Sequence, residues 1–137
     1  MKRDEYTVHV VDPDRAIGDG FAVLLSTYGI AVRSYPDAES FLECWPQVSA
    51  QRCCLIVEAD LPGLSGPALI QRLADESDDL AVVLLVSTSS PELVNIAERS
   101  SHIGVVEKPL VHGTLIDELV SRRLIVDVSS HRISAGR

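Results

Sequence analysis

A parallel α/β sandwich is the fold this sequence predicts, on three observations. Segments rich in β-branched residues alternate five times with segments of helical periodicity. Two of the strand-like segments, Cys53-Cys54-Leu55-Ile56-Val57 and Leu80-Ala81-Val82-Val83-Leu84-Leu85-Val86, are apolar without alternation, as strands covered on both faces are. The stretches between strands are of helix length, and right-handed crossovers then place helices on both sides of the sheet.

Each element has its own local signal. Thr7-Val8-His9-Val10-Val11 is short and β-branched, and Asp12-Pro13-Asp14 closes it, so a first strand runs into a helix start with Asp14 as N-cap. Ile17, Phe21, Leu24, Leu25 and Tyr28 recur at helical spacing, while Gly18 and Gly20 each weaken that helix by roughly 1 kcal/mol relative to Ala. Gly29-Ile30 ends it. Ala31-Val32-Arg33-Ser34-Tyr35 alternates as a strand nearer the sheet edge does. Pro36-Asp37 opens a second helix carrying Phe41, Leu42 and Trp45, and Pro46 with the polar stretch Gln47 to Arg52 is expected to release the chain into the central strand.

Ser65-Gly66-Pro67 starts a third helix with Leu69 and Leu73 inward. The fourth strand, Leu80 to Val86, ends in the hydroxyl-rich Ser87-Thr88-Ser89-Ser90. A fourth helix from Ser90-Pro91 presents Leu93, Ile96 and Ala97. Ile103-Gly104-Val105-Val106-Glu107 is the fifth strand, and after Lys108-Pro109 a last helix carries Leu115, Ile116, Leu119 and Leu124. The expected body spans residues 6–125, and residues 126–137 read as a polar tail or linker.

Composition narrows the function classes. A chain of 137 residues with 46% hydrophobic content and net charge −8 has the size of one domain with its own core. No apolar run approaches the roughly 20 residues that span a bilayer, and the charged opening Met1-Lys2-Arg3-Asp4-Glu5 is not a signal sequence. A cytoplasmic protein without membrane contact is expected. Cys44, Cys53 and Cys54 have no disulfide or metal spacing and read as buried free thiols. The acidic balance, with only Arg122-Arg123 as a basic pair, argues against nucleic-acid binding by this domain. His9, His102, His112 and His131 share no ligand spacing and read as ordinary surface or partly buried residues, and Trp45 reads as core.

The functional signal is concentrated in Leu55-Ile56-Val57-Glu58-Ala59-Asp60-Leu61-Pro62-Gly63-Leu64-Ser65-Gly66, where a buried strand delivers a carboxylate into a Pro/Gly turn. Asp12, Ser87 and Lys108 arrive at the same sheet edge from other strand ends. This set resembles response-regulator receiver domains, whose central strand ends in a phosphorylatable Asp four residues before Pro-Gly. Here that position is Glu58. The resemblance covers about Tyr6 to Leu124. It implies a flavodoxin-like sheet of order 2-1-3-4-5 flanked by five helices and a role in phosphorelay signalling. Mg²⁺ would be held by an acidic pair after the first strand together with the acceptor. Ser87 and Lys108 take the phosphoryl-contact positions, and Val105 stands where a switch aromatic is usual.

Two replacements set the expected chemistry apart from that pattern. Pro13 occupies the second acidic position and offers no side-chain oxygen, leaving Asp12, with Asp14 as a possible substitute, in the acidic pocket. Glu58 lengthens the acceptor arm by roughly a bond, and about 1 Å of misplacement already costs much in a positioned reaction. Its carboxylate either mimics the modified state by reaching towards Ser87 and Lys108 or forms an ion pair with Lys108 that holds the loops. Asp60, two residues on, reads as a solvated loop acid.

The expected function is a phosphorylation-independent regulatory or protein-interaction module, with no cofactor and no catalytic activity of its own. Its partner would be a sensor kinase, an output domain or another regulator. A homodimer through the fourth helix, fifth strand and last helix would use Val94, Val105, Leu110 and Val111. The alternative is a phosphorylation-competent receiver that accepts on Glu58 or Asp60 with Mg²⁺, for which Asp12, Glu58 and Asp60 are the weak metal candidates. A nucleotide enzyme is disfavoured because Asp12-Pro13-Asp14-Arg15 lacks the glycines that admit a pyrophosphate. A serine hydrolase is disfavoured because Ser87 has no matching His and carboxylate.

Overall fold

The computed structural model describes residues 7–48, 53–75, 80–86 and 103–108. Five strands, β1 (Thr7–Val11), β2 (Ala31–Tyr35), β3 (Cys53–Glu58), β4 (Ala81–Val86) and β5 (Ile103–Glu107), form one sheet in the order β2-β1-β3-β4-β5. Every neighbouring pair is parallel. Among the described residues the helices are α1 (Arg15–Ser26), α2 (Ala38–Val48) and α3 (Gly66–Ala74). The expected fourth and last helices, Ser87, and the interface candidates Val94, Leu110 and Val111 lie outside the described residues.

Side-chain alternation along each strand builds two cores. Val8, Val10, Cys54, Ile56, Val83, Leu85 and Val106 face Phe21 and Leu25 of α1. Val11, Leu55, Val57, Val82, Leu84 and Val86 face Phe41 and Trp45 of α2 and Leu69 and Leu73 of α3. Leu55, Ile56 and Leu84 are fully buried, and each such side chain contributes about 1.5–3 kcal/mol by leaving water. The continuous apolar runs of β3 and β4 thus reflect burial on both faces, whereas β2 exposes Ala31, Arg33 and Ser34 at the sheet edge.

Side-chain caps fix where the helices begin. Asp14, extended at φ −84° and ψ 106°, accepts the Ala16 N–H at 3.0 Å and caps α1. Asp37 accepts the Ser40 N–H at 2.7 Å and caps α2. Ser65 accepts the Ala68 N–H at 3.2 Å ahead of α3. The end of α1 is a Schellman turn, with Ile30 N–H on Leu25 O, Gly29 N–H on Ser26 O, and Gly29 at φ +72°.

Three local expectations change. Pro46 does not release the chain: α2 continues to Val48, because Trp45 and Val48 lie on its buried face and their packing retains the last turn. Gly18 is more than a weak point in α1, since a Cβ there would collide with Ser34 Oγ, so glycine lets α1 approach β2 closely. Of the three thiols only Cys54 is fully buried; Cys44 and Cys53 are half-buried. Burial still pushes the Cys53 thiol above its usual range, which keeps it protonated and unreactive.

Candidate functional site

Strand register brings the chemistry to one edge. Val11 lies level with Val57, Glu58 with Leu85, and Val86 with Glu107, so Asp12, Glu58 and Lys108 all leave the sheet at its carboxyl end. β4 separates Lys108 from Glu58, a lateral span of about 10 Å at ordinary strand spacing, and the long lysine side chain crosses it. Lys108 Nζ donates to Asp12 Oδ2 at 3.0 Å and pairs with Glu58 Oε1. One ammonium thereby bridges two carboxylates whose side chains are only 2% and 5% exposed.

The second oxygen of each carboxylate is also engaged. Asp12 Oδ1 accepts the Asp14 N–H at 2.8 Å, and Glu58 Oε2 accepts the Asp60 N–H at 2.8 Å. Buried charge is tolerated only when paired and hydrogen-bonded, and all four oxygens here have a donor or a cation. For Lys108 itself, burial works to lower its pKa, but the hydrogen bonds and charges of Glu58 and Asp12 outweigh that, and the ammonium titrates above the usual lysine value. Lys108 is therefore a permanent cation in this site.

The backbone holds the arrangement in place. Asp12 N–H donates to Tyr35 O at 3.0 Å, Ala59 N–H to Leu85 O at 2.8 Å, and Lys108 N–H to Val86 O at 2.7 Å. Gly66 N–H returns to Ala59 O at 3.1 Å, and a Cβ on Gly66 would collide with the Glu58 carbonyl, so glycine lets α3 start directly against the end of β3.

The response regulator receiver domain family matches residues 8–120. The chain belongs to this family. Among curated relatives, the transcriptional regulatory protein FixJ of Rhizobium meliloti is 27% identical over 131 residues, 96% of this chain and 60% of that protein. The C4-dicarboxylate transport transcriptional regulatory protein DctR of Rhodobacter capsulatus is 28% identical over 118 residues, 85% of this chain and 59% of that protein. The chain thus spans about three-fifths of the length of these relatives. Among solved structures, the FixJ-N crystal structure superposes with a TM-score of 0.72 at 27% identity, covering 87% of this chain and 93% of that one. The response regulator StyR gives 0.76 at 26% identity, covering 96% and 66%.

The residues singled out in the sequence are placed as follows. Asp12, Glu58 and Lys108 come together, whereas Ser87 lies outside the described residues. Asp14 stands next to the cluster, but its carboxylate caps α1 while its N–H serves Asp12. Asp60 is exposed and contributes its amide to Glu58. Val105, expected at the switch position, is half-buried and packs against the core on the α2 and α3 side.

A receiver-type Mg²⁺ does not fit these donors. Pro13 supplies no side-chain oxygen, both oxygens of Asp12 and of Glu58 are taken, and a cation already sits between the two carboxylates. Among the described residues no group of three or more His, Cys, Asp or Glu could hold a metal ion. Magnesium demands near-ideal octahedral oxygen coordination, which this set cannot offer without expelling Lys108.

Sequence reasoning missed one buried polar pair. His9, read as a surface or partly buried residue, is 4% exposed. Its Nδ1 lies 2.9 Å from Tyr35 Oη, its ring stacks on Tyr35 with centroids 5.7 Å apart, and Phe41 meets it edge-on. Burial, with a smaller contribution from the Arg33 charge, lowers the His9 pKa to about 4, so the ring is neutral. The available signal was its position, central in an otherwise apolar strand whose alternate residues Val8 and Val10 face the opposite core.

Proposed function

We propose that this chain is a receiver module of two-component signalling that holds a single regulatory state without phosphoryl transfer and acts through protein contacts. The observation that carries this reading is the Lys108 bridge between Asp12 and Glu58. An acceptor must present a free oxygen to the incoming phosphorus, and the two oxygens of Glu58 are held by an ammonium and an amide. In this reading Glu58 is the phosphoacceptor equivalent, Asp12 and Asp14 form the acidic pocket, Ser87 and Lys108 are the phosphoryl-contact equivalents, and Val105 replaces the switch aromatic. The internal carboxylate–lysine pair stands where a modified acceptor would neutralise the lysine.

The proposed partners are a sensor kinase, an output domain or another regulator. Relatives of greater length are transcriptional regulators, which supports an output module joined through residues 126–137 to a receiver body of residues 6–125. A homodimer through β5 and the segments on either side of it is the proposed assembly. Receiver domains are signalling modules, and neither catalysis nor a cofactor belongs to this reading. A cytoplasmic location accords with it, and among the described residues no helix is long and apolar enough to cross a membrane.

The test is mass spectrometry after incubation with a small phosphodonor and Mg²⁺, beside a Pro13→Asp, Glu58→Asp double variant as comparator. The parent chain is expected to stay unmodified while the variant takes up acid-labile phosphate. Stoichiometric phosphate on Glu58 or Asp60 of the parent would replace this reading with that of a phosphorylation-competent receiver.

A further inference from the structure

We infer that Glu39 is a positioning residue for the acidic site, holding the loop between β3 and α3 in the conformation that presents the Asp60 N–H to Glu58. Glu39 lies in the first turn of α2, on a different element from the site, and its Oε2 accepts the Leu64 N–H at 3.0 Å across 25 residues of sequence. Gly63, at φ +72°, makes this contact possible in two ways. The positive φ turns the chain so that the Leu64 amide points at α2, and the missing Cβ leaves room, since one built there would lie 2.7 Å from the same Oε2.

The remaining anchors show what Glu39 adds. The start of the loop is tied to the sheet by Ala59 N–H on Leu85 O, its end by Gly66 N–H on Ala59 O, and buried Leu61 packs into the core beneath it. The Glu39 carboxylate binds a backbone donor of residues 61–64 from a different element. A charged acceptor makes this bond stronger than a neutral one, and a carboxylate in the first turn also suits the positive end of α2. Residues 60–64 are therefore held at both sides, by Glu58 on Asp60 and by Glu39 on Leu64. Loss of the outer hold frees the loop to swing and exposes the inner one, so a contact made on the first turn of α2 would reach Glu58 through five residues.

This inference deepens the reading of a closed site by naming what keeps its loop in place, and its readout does not depend on whether Glu58 ever accepts phosphate. Amide hydrogen exchange, followed residue by residue on the full chain, tests it. Glu39→Ala should speed exchange at Leu64 and Asp60 by about tenfold, the effect of losing a charge-assisted bond in a locally opening unit, with Val10 and Ile56 unchanged. Glu39→Gln, which keeps an acceptor oxygen, should recover most of the protection. Unchanged exchange at Leu64 and Asp60 in Glu39→Ala would overturn the inference. So would an acceleration of equal size at Val10 and Ile56, which would mean a general loss of stability in place of a local hold.

Discussion

His9 and Asp12 lie three residues apart on one strand and its exit, both almost fully buried, and the chain keeps them in opposite ways. His9 sits inside the sheet among aromatic rings with the Tyr35 hydroxyl as its polar partner, and it remains there by being uncharged. Asp12 sits where the strand leaves the sheet, with an amide on one oxygen and the Lys108 ammonium on the other. The difference follows from what each place can supply. The interior of a sheet has its backbone donors committed to the ladder, so a titratable group there keeps the neutral form. The carboxyl edge has free amides and long side chains from neighbouring strands, so charge can be retained and balanced.

Removing the cation should have the largest effect. Lys108→Met leaves two buried carboxylates with one amide each and no cation, and the expected loss is about 3–5 kcal/mol at neutral pH, read as a lower urea midpoint at unchanged m-value. Glu58→Gln should cost less, because Lys108 keeps Asp12. Equal losses for the two variants would mean that the three groups do not act as a unit.

The two regions should also fail at opposite ends of the pH scale. The folded pKa of His9, about 4, lies below its ordinary value of 6.5. The neutral ring therefore favours the fold fully above pH 6.5, and that stability drains away as pH falls from 6.5 to 4. Between pH 7 and pH 5 the loss should be about 2 kcal/mol, and His9→Phe should lose this acid dependence. Lys108 is shifted the other way, above 10.5. Its contribution is complete below pH 10.5 and is lost as pH rises through the higher folded value, so the parent should weaken in alkali more steeply than Lys108→Met. The smallest effect belongs to Tyr35→Phe, which removes the His9 partner without opening a large cavity and should cost about 1 kcal/mol in denaturant unfolding.

The fold was legible because its signals are local and agree with one another. The apolar runs of β3 and β4 pointed to doubly covered strands, and Asp14, Asp37 and Ser65 marked helix starts by their own hydrogen-bonding chemistry. The site was legible where motif spacing fixed it: Glu58 before its Pro/Gly turn and Lys108 after the fifth strand. What the sequence concealed depends on contacts between distant segments. His9 and Tyr35 are 26 residues apart and meet only through the pairing of β1 with β2. Gly18 looks like a poor helix residue until Ser34 is set against it, and Pro46 looks like a stop until Trp45 and Val48 are seen to be buried. The ion pair of Lys108 with Glu58 was among the expectations from sequence, but the reach of the same ammonium to Asp12 was not, since spacing gives the strand exits and not the path of a side chain.

The central claim is that Lys108, the missing side-chain oxygen at Pro13 and the longer arm of Glu58 together close the site to a metal ion. The most direct measurement is the thermal midpoint of the parent chain as Mg²⁺ is raised into the millimolar range, because a ligand stabilises a fold only as far as its concentration exceeds its dissociation constant. The account predicts a flat response for the parent and a rising midpoint for the Pro13→Asp, Glu58→Asp double variant. A clear Mg²⁺-dependent rise in the parent would show that the ion displaces Lys108 or recruits Asp14 or Asp60, and the closed-site account would be wrong.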